Sequence, residues 1–153
     1  LFAVLCSLVI HTQPKARIAM SVAAPRLLEE SLRRLGAEVI RTKADVRSLV
    51  QSAQSDQVDF AGDDRGGFIF PTLHPGFDAP FSFAQVAAML QQTASTIGEL
   101  ADGLPDFHSA KQSVRVPWEA KGTVMRILND SSFPDATISS LDGIKIQWRD
   151  ESV

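Results

Sequence analysis

Short apolar strands that alternate with helical segments predict an α/β fold, with three α/β/α layers around a mixed sheet. Runs typical of buried strands recur at residues 17–22, 37–41 and 57–61. Helical periodicity separates them, in the segment after Pro25 and at residues 44–53. Two successive strand-helix-strand crossovers are typical of a largely parallel sheet. After this domain, the sequence predicts the start of a smaller α+β domain.

The first predicted element is a buried helix at residues 1–10, which are almost wholly apolar. A membrane-spanning helix needs about 20 apolar residues, and the polar residues from His11 onward end this run. A signal peptide would need an initiating Met and a basic leader, whereas the chain begins with Leu1. We interpret the segment as a core helix that continues from upstream sequence.

The two helices of the crossovers each present one apolar face. In the first helix, which Gly36 ends, this face comprises Leu27, Leu28, Leu32 and Leu35. In the second helix it comprises Val46, Leu49, Val50 and Ala53. The strand at residues 57–61 follows, and residues 68–70 are predicted to join the sheet as an antiparallel strand.

The two strands last named are joined by residues 62–67, which we call the acidic loop. Its members are Gly62, Asp63, Asp64, Arg65, Gly66 and Gly67. Glycines let backbone amides approach a ligand, and carboxylate and guanidinium groups suit sugar hydroxyls or phosphate. Ligands collect at the carboxyl ends of parallel strands, where this loop is predicted to lie. An ordinary acidic hairpin turn explains the same residues equally well.

The remaining elements complete two predicted domains, at residues 1–104 and 105–153. Asp78 is placed to cap a helix over residues 79–93, and a short helix packs through Ile97, Leu100 and Leu104 before Pro105 breaks it. The second domain is predicted to hold a strand at 111–116, a helix at 119–129 and a hairpin from 136–140 to 144–148. We expect Trp118 to be a core anchor and this α+β domain to be truncated.

Composition narrows the classes of function. The 153 residues are 44% hydrophobic and 22% charged, and a net charge of −3 without a basic stripe argues against a nucleic-acid partner. The single Cys6 excludes an internal disulfide and is expected to be a buried thiol, which points to a reducing cytoplasm. His74 and His108 lack partners at metal-ligand spacing, so we expect no metal site.

The acidic loop sits within a longer motif, from Phe60 through the aromatic strand at Phe68, Ile69 and Phe70 to Asp78 ahead of a helix. This motif resembles the third domain of the α-D-phosphohexomutases, such as phosphomannomutase and phosphoglucomutase. In that family the sugar-selectivity strand reads roughly Phe-Gly-Gly-Glu-x-Ser-Gly-His. Thr42 and Lys43 match a Thr-Lys pair of the family, and residues 116–126 and 141–146 resemble the entry to its fourth domain.

The resemblance implies that Lys43 and the acidic loop bind a hexose phosphate. Asp63 would accept hydrogen bonds from the 3- and 4-hydroxyls, while Arg65 and Lys43 would face phosphate or ring oxygens. The complete family enzyme moves a phosphoryl group between the 6- and 1-positions with a phosphoserine and Mg²⁺ from its first two domains. Because neither feature occurs here, we predict no catalytic residue and no cofactor in this chain, and we expect missing domains of the same polypeptide as partners.

Departures from the family pattern leave other interpretations open. The family's Glu, Ser and His are replaced by Asp63, Arg65 and Gly67, and a further His is replaced by Val46. These changes favour an alternative, a non-catalytic regulatory or assembly module of a sugar-1-phosphate nucleotidyltransferase. The chain resembles most the mutase-like regions fused behind enzymes of the mannose-1-phosphate guanylyltransferase type. A third interpretation is that the resemblance reports the fold and no ligand.

Overall fold

The computed structural model describes residues 1–55, 57–106, 110 and 112–148. It divides into two compact units, Leu1–Phe107 and His108–Val153.

A four-stranded mixed sheet forms the centre of the first unit. Its strands are β1 (Arg17–Ser21), β2 (Glu38–Thr42), β3 (Phe60–Gly62) and β4 (Phe68–Ile69). They lie in the order β2-β1-β3-β4, with β1 parallel to both β2 and β3, and β4 antiparallel to β3. The predicted mixed sheet, with its antiparallel edge strand, is confirmed.

Helices cover both faces of this sheet. They are α1 (Phe2–Thr12), α2 (Arg26–Arg34), α3 (Val46–Ser55), α4 (Ala79–Thr93) and α5 (Ile97–Asp102). Buried residues of α1, α2, α4 and α5 share one core cluster, and those of α3 belong to a second. The first unit therefore has the predicted three layers, and among its described helices α3 is the one on the second face.

Side chains alternate between the two core clusters along each strand, because successive residues of a strand point to opposite faces. Ile18, Met20 and Phe60 pack in the cluster of α1. Ala19 and Ala61 pack in the cluster of α3. The strands β1 and β3 thus present large side chains to α1 and alanines to α3, while Ile69 of β4 and Ile40 of β2 also pack on the α3 side.

Helix α1 is buried on nearly all sides, as its apolar sequence predicts. Eight of its residues are buried, including Cys6, whose side chain is fully enclosed. Burial raises the pKa of the Cys6 thiol well above its ordinary value. The described helices include none that combines the length and apolar character needed to cross a bilayer.

The second unit contains helix α6 (Trp118–Asp130) and a hairpin of β5 (Ala136–Ser139) and β6 (Lys145–Trp148). The ring of Phe133 meets that of Trp148 edge-on at 6.1 Å between centroids. The predicted helix and hairpin are confirmed, each within a few residues of its expected bounds.

Two predicted strands differ from the structure. Strand β3 begins at Phe60 rather than at Gln57, because Gln57 has a left-handed backbone with φ of 51°, which a strand cannot contain. Residues 112–116 form no strand, and Lys111 lies outside the described residues. In the described part of the second unit, β5 and β6 pair with each other and with no third strand.

Four apolar residues predicted to pack inward are instead largely exposed: Leu35, Val46, Ile97 and Trp118, at 53%, 53%, 47% and 79%. The last three are the first residues of α3, α5 and α6. A helical side chain covers the turn that precedes it, and a first residue has no such turn, so it projects beyond the helix end. Leu35 lies one residue past α2.

An arginine of β2 holds the turn between β1 and α2. Arg41 Nη1 donates hydrogen bonds to the carbonyl oxygens of Ser21 and Ala24, at 2.9 and 2.8 Å. Its Nε donates to Glu29 Oε2 at 2.8 Å, and Arg33 donates to Glu29 Oε1 at 2.9 Å. Partial burial raises the pKa of Glu29, but the hydrogen bonds from Arg41 and Arg33 outweigh burial, so that pKa lies below its ordinary value.

We expect Glu29→Gln to lower the free energy of unfolding at pH 7 by about 1–2 kcal/mol, because a neutral amide pairs less strongly with two guanidinium groups. Since the folded pKa of Glu29 is depressed, its stabilisation is present above the unfolded pKa and is lost as pH falls through the folded pKa. Urea denaturation of wild type and variant should therefore give converging stabilities as the pH approaches about 3.

Glu30→Gln is the matched control, because Glu30 pairs with Arg26 on the helix surface at 2.7 Å. Such pairs contribute about 0–1 kcal/mol. Equal losses from the two substitutions would contradict the role given to Glu29.

Candidate functional site

The carboxyl ends of β2, β1 and β3 meet at one edge of the sheet, as parallel strands require. Lys43 follows β2, and the acidic loop begins at the end of β3. Strand β1 lies between them, so the two segments start about 10 Å apart, given strand spacings of about 4.8 Å. The structure brings the predicted site residues to one edge, on either side of the β1–α2 turn.

The acidic loop is held closed by hydrogen bonds to Asp63. Its Oδ1 accepts from the backbone N–H groups of Arg65 and Gly67, both at 3.0 Å. Its own backbone N–H donates to the carbonyl oxygen of Gly67 at 3.1 Å. Gly66 has a φ of 92°, a conformation that favours glycine. The loop is therefore a defined hairpin connection.

These bonds change what the loop can offer a ligand. The sequence suggests that its glycines expose backbone amides, but the amides of Asp63, Arg65 and Gly67 are all used within the loop. These three amides are therefore not offered to a ligand. Asp64 and Arg65 are exposed, whereas Asp63 is half-buried.

Aromatic rings lie against the glycines at both ends of the loop. A Cβ on Gly62 would stand 2.7 Å from the ring of Phe2 and 3.0 Å from that of Phe68. A Cβ on Gly67 would stand 2.5 Å from the ring of Phe77. Both contacts are shorter than packed atoms tolerate, so the rings fix the positions at which the loop begins and ends.

Lys43 is exposed and stands next to the start of α3. Asp45 accepts hydrogen bonds from the hydroxyl and the backbone N–H of Ser48, at 2.7 and 2.8 Å. These bonds, the hydroxyl's above all, lower the pKa of Asp45. The Asp45 carboxylate is thus a capping group of the helix, and the exposed Lys43 beside it is a cation that this segment can offer a ligand.

Sequence reasoning missed the β1–α2 turn as part of this edge. Ser21 ends β1, and its hydroxyl oxygen accepts from the N–H of Ala23 at 3.1 Å. Arg41 fixes the carbonyls of the same turn. The available signal was the charge of Arg41 directly after the apolar Val39 and Ile40 of a predicted strand, since a charge in a partly buried strand needs a partner.

An open cavity of about 650 Å³ adjoins the acidic loop on the side of α4. Its walls are almost entirely apolar and include Gly67, Phe77, Phe83, Val86 and Leu90. Phe83 is 79% exposed there. Hydroxyl and phosphate groups would find few partners in it, so we do not assign the cavity to a sugar phosphate.

Of the two histidines singled out in the sequence, the structure describes His74. Within the described ranges, no three His, Cys, Asp or Glu residues form a group able to hold a metal ion. His74 lies in the turn before α4, where its ring packs against Gly76. His108 lies outside the described residues. Asp78 caps α4 as predicted, its Oδ1 accepting from the N–H of Phe81 at 2.9 Å.

Sequence comparison matches residues 1–107 to the family described as "Phosphoglucomutase/phosphomannomutase, alpha/beta/alpha domain III". A protein named "Probable phosphoglucosamine mutase" from Methanopyrus kandleri is 26% identical over 97% of this chain and 33% of its own length. A "Phosphoglucomutase/phosphomannomutase" from Thermococcus kodakarensis is 25% identical over the same shares. The chain thus spans about a third of these relatives' length.

Among solved structures, a phosphoglucomutase/phosphomannomutase family protein from Burkholderia thailandensis superimposes with a TM-score of 0.71. It is 22% identical and covers 97% of this chain and 32% of its own. This likeness bears on the fold, and it agrees with the three-layer arrangement described above.

We expect Gly62→Ala to lower the free energy of unfolding by about 1–3 kcal/mol, because its methyl group would overpack the rings of Phe2 and Phe68. Urea denaturation checks this. Gly98→Ala, in α5, is the control, since its methyl group would meet only the Thr96 hydroxyl, at 3.9 Å. We expect that variant to be unchanged or slightly stabilised. Equal effects of both substitutions would show that ring contacts do not decide the result.

Proposed function

This chain belongs to the phosphoglucomutase/phosphomannomutase family, and we propose that it forms the hexose-phosphate-binding part of a phosphohexomutase-like protein. One observation carries the proposal. The acidic loop, with Asp64 and Arg65 exposed, lies at the carboxyl end of β3, on the same sheet edge as Lys43. Cations and a carboxylate at such an edge suit a ligand that carries both phosphate and hydroxyl groups.

The proposed contacts follow from the charge of each group. A phosphate attracts the cations of Lys43 and Arg65, and the guanidinium of Arg65 can donate two parallel hydrogen bonds to it. The Asp64 carboxylate accepts hydrogen bonds from sugar hydroxyls. Gly62, Asp63, Gly66 and Gly67 hold the loop that presents these side chains.

The complete reaction is proposed for a longer polypeptide, because the relatives named above are about three times the length of this chain. Phosphoryl transfer between the 6- and 1-positions needs a phosphoserine and Mg²⁺, which we propose come from other domains of the same polypeptide. The contacts proposed for this chain are those of its side chains with phosphate and hydroxyl groups. The buried Cys6 supports a cytoplasmic location.

A second candidate is a non-catalytic module that senses a sugar phosphate or serves assembly. It is favoured by Gly67, which offers no side chain, and by Asp63, whose Oδ1 is already engaged. The two relatives described above are named as mutases, so they lend no support to fusion with a nucleotidyltransferase.

Calorimetric titration of this chain with the 1- and 6-phosphates of glucose and mannose, and with glucosamine 6-phosphate, tests the proposal. We expect saturable binding with a Kd of about 1 μM to 1 mM, the range typical of enzyme substrates. Arg65→Ala and Lys43→Ala should each weaken binding about tenfold, since each removes a charged hydrogen-bond donor. Arg34→Ala is the control and should leave the affinity unchanged, because Arg34 ends helix α2, which runs from the carboxyl edge of the sheet to the opposite edge.

The outcomes separate the candidates. A mutase holds its sugar in two orientations, so it should bind the 1- and 6-phosphates of one hexose with similar affinity, whereas a sensor should select one. A folded sample that gives no saturable heat with any of the five compounds would overturn hexose-phosphate binding by this chain. Equal weakening by the three Ala variants would indicate unspecific attraction to positive charge.

A further inference from the structure

We propose that Asp63 is the positioning residue of the acidic loop, and that the side chains of Asp64 and Arg65 take the ligand contacts. This inference rests on the proposed function and deepens it, because it divides the loop into residues that give it shape and residues that contact a hexose phosphate. It departs from the expectation that Asp63 itself grips the sugar hydroxyls.

The Asp63 carboxylate is already hydrogen-bonded within the acidic loop. One oxygen, Oδ1, accepts from two backbone amides, those of Arg65 and Gly67, at 3.0 Å each. Bonds from amides to a carboxylate are about twice as strong as those between neutral groups. The short side chain of aspartate suits this task, because it reaches amides two to four residues ahead in the chain.

A sugar hydroxyl would compete with these two backbone amides for Asp63 Oδ1. A sugar hydroxyl that bound Oδ1 would have to displace or crowd both amides. The bond from Gly67 is part-buried, so the Gly67 amide, once displaced, would lose its partner where water reaches it less freely than at the surface, whereas the exposed Arg65 amide could turn to water. Gripping the ligand through Oδ1 would therefore loosen the loop that presents the ligand's other contacts.

The shape of the acidic loop determines where its exposed side chains point. Asp64 lies between Asp63 and Arg65 in the chain, and the backbone N–H of Arg65 is one of the two groups that donate to Asp63 Oδ1. Gly66 follows with its φ of 92°, and Gly67 is seated against the ring of Phe77. Asp64 and Arg65 thus carry the exposed side chains of the segment that Asp63 holds, in which the exposed Gly66 carries none.

Two variants at position 63 test the role of its oxygen. Asp63→Asn keeps an Oδ1 acceptor and loses the charge, whereas Asp63→Ala loses both. In the 153-residue chain, we expect Asp63→Ala to speed amide hydrogen exchange at Arg65 and Gly67 about tenfold or more, and Asp63→Asn to stay within about threefold of wild type. Calorimetry with mannose 1-phosphate should follow the same order, so that Asn rescues the binding that Ala loses.

Asp64→Asn and Arg65→Ala are the complementary variants. We expect each to leave exchange at the Gly67 amide within about twofold of wild type, while weakening mannose 1-phosphate binding about tenfold. A structural defect would not give this separation, because it would alter exchange and binding together.

Two results would overturn the inference. One is unchanged exchange at Arg65 and Gly67 in Asp63→Ala. The other is loss of binding in Asp63→Asn with both amides still protected, which would show that the Asp63 charge faces the ligand. If wild type gives no heat with any sugar phosphate, the proposed function is wrong, and the exchange ratio alone then decides whether Asp63 positions the loop.

Discussion

The fixed position of the acidic loop depends on the buried ring of Phe60. Strands β3 and β4 have only three and two residues, so few backbone hydrogen bonds join them. The Phe60 ring lies 5.9 Å from that of Phe2, 6.1 Å from that of Phe68 and 4.8 Å from that of Phe70. Aromatic contacts of this kind add about 0.5–1.5 kcal/mol each beyond their buried area. They join α1 to both strands and so set the base from which the loop rises.

The sequence was sufficient for the order and type of nearly all elements, because hydrophobic periodicity depends on which faces are buried. It was insufficient at the ends of elements. Val46, Ile97 and Trp118 fit an apolar helical pattern but occupy the first helical position, where the side chain projects past the end. Residues 112–116 alternate like a strand, but a strand also needs a partner, which alternation within one segment does not supply.

The sequence predicted that Lys43 and the acidic loop lie at one edge of the sheet, but it did not predict the hydrogen bonds that Asp63 makes within the loop. That Lys43 and the acidic loop share a sheet edge follows from parallel topology, which the helical crossovers indicate. That Asp63 binds the loop's own amides depends on distances of a few tenths of an ångström, which composition does not fix. The role of Arg41 in the β1–α2 turn was missed for a similar reason, since the groups that it holds there are carbonyl oxygens, and every residue has one.

The burial of Cys6 gives this fold its own reporter of local opening. The thiolate is the reactive form of cysteine, and here enclosure both disfavours ionisation and blocks approach by reagents. A thiol-specific dye can therefore reach the sulfur only in molecules in which α1 has separated from the elements packed against it. The rate of dye incorporation under native conditions measures how often that separation occurs. Because the chain contains one cysteine, the signal reports α1 alone.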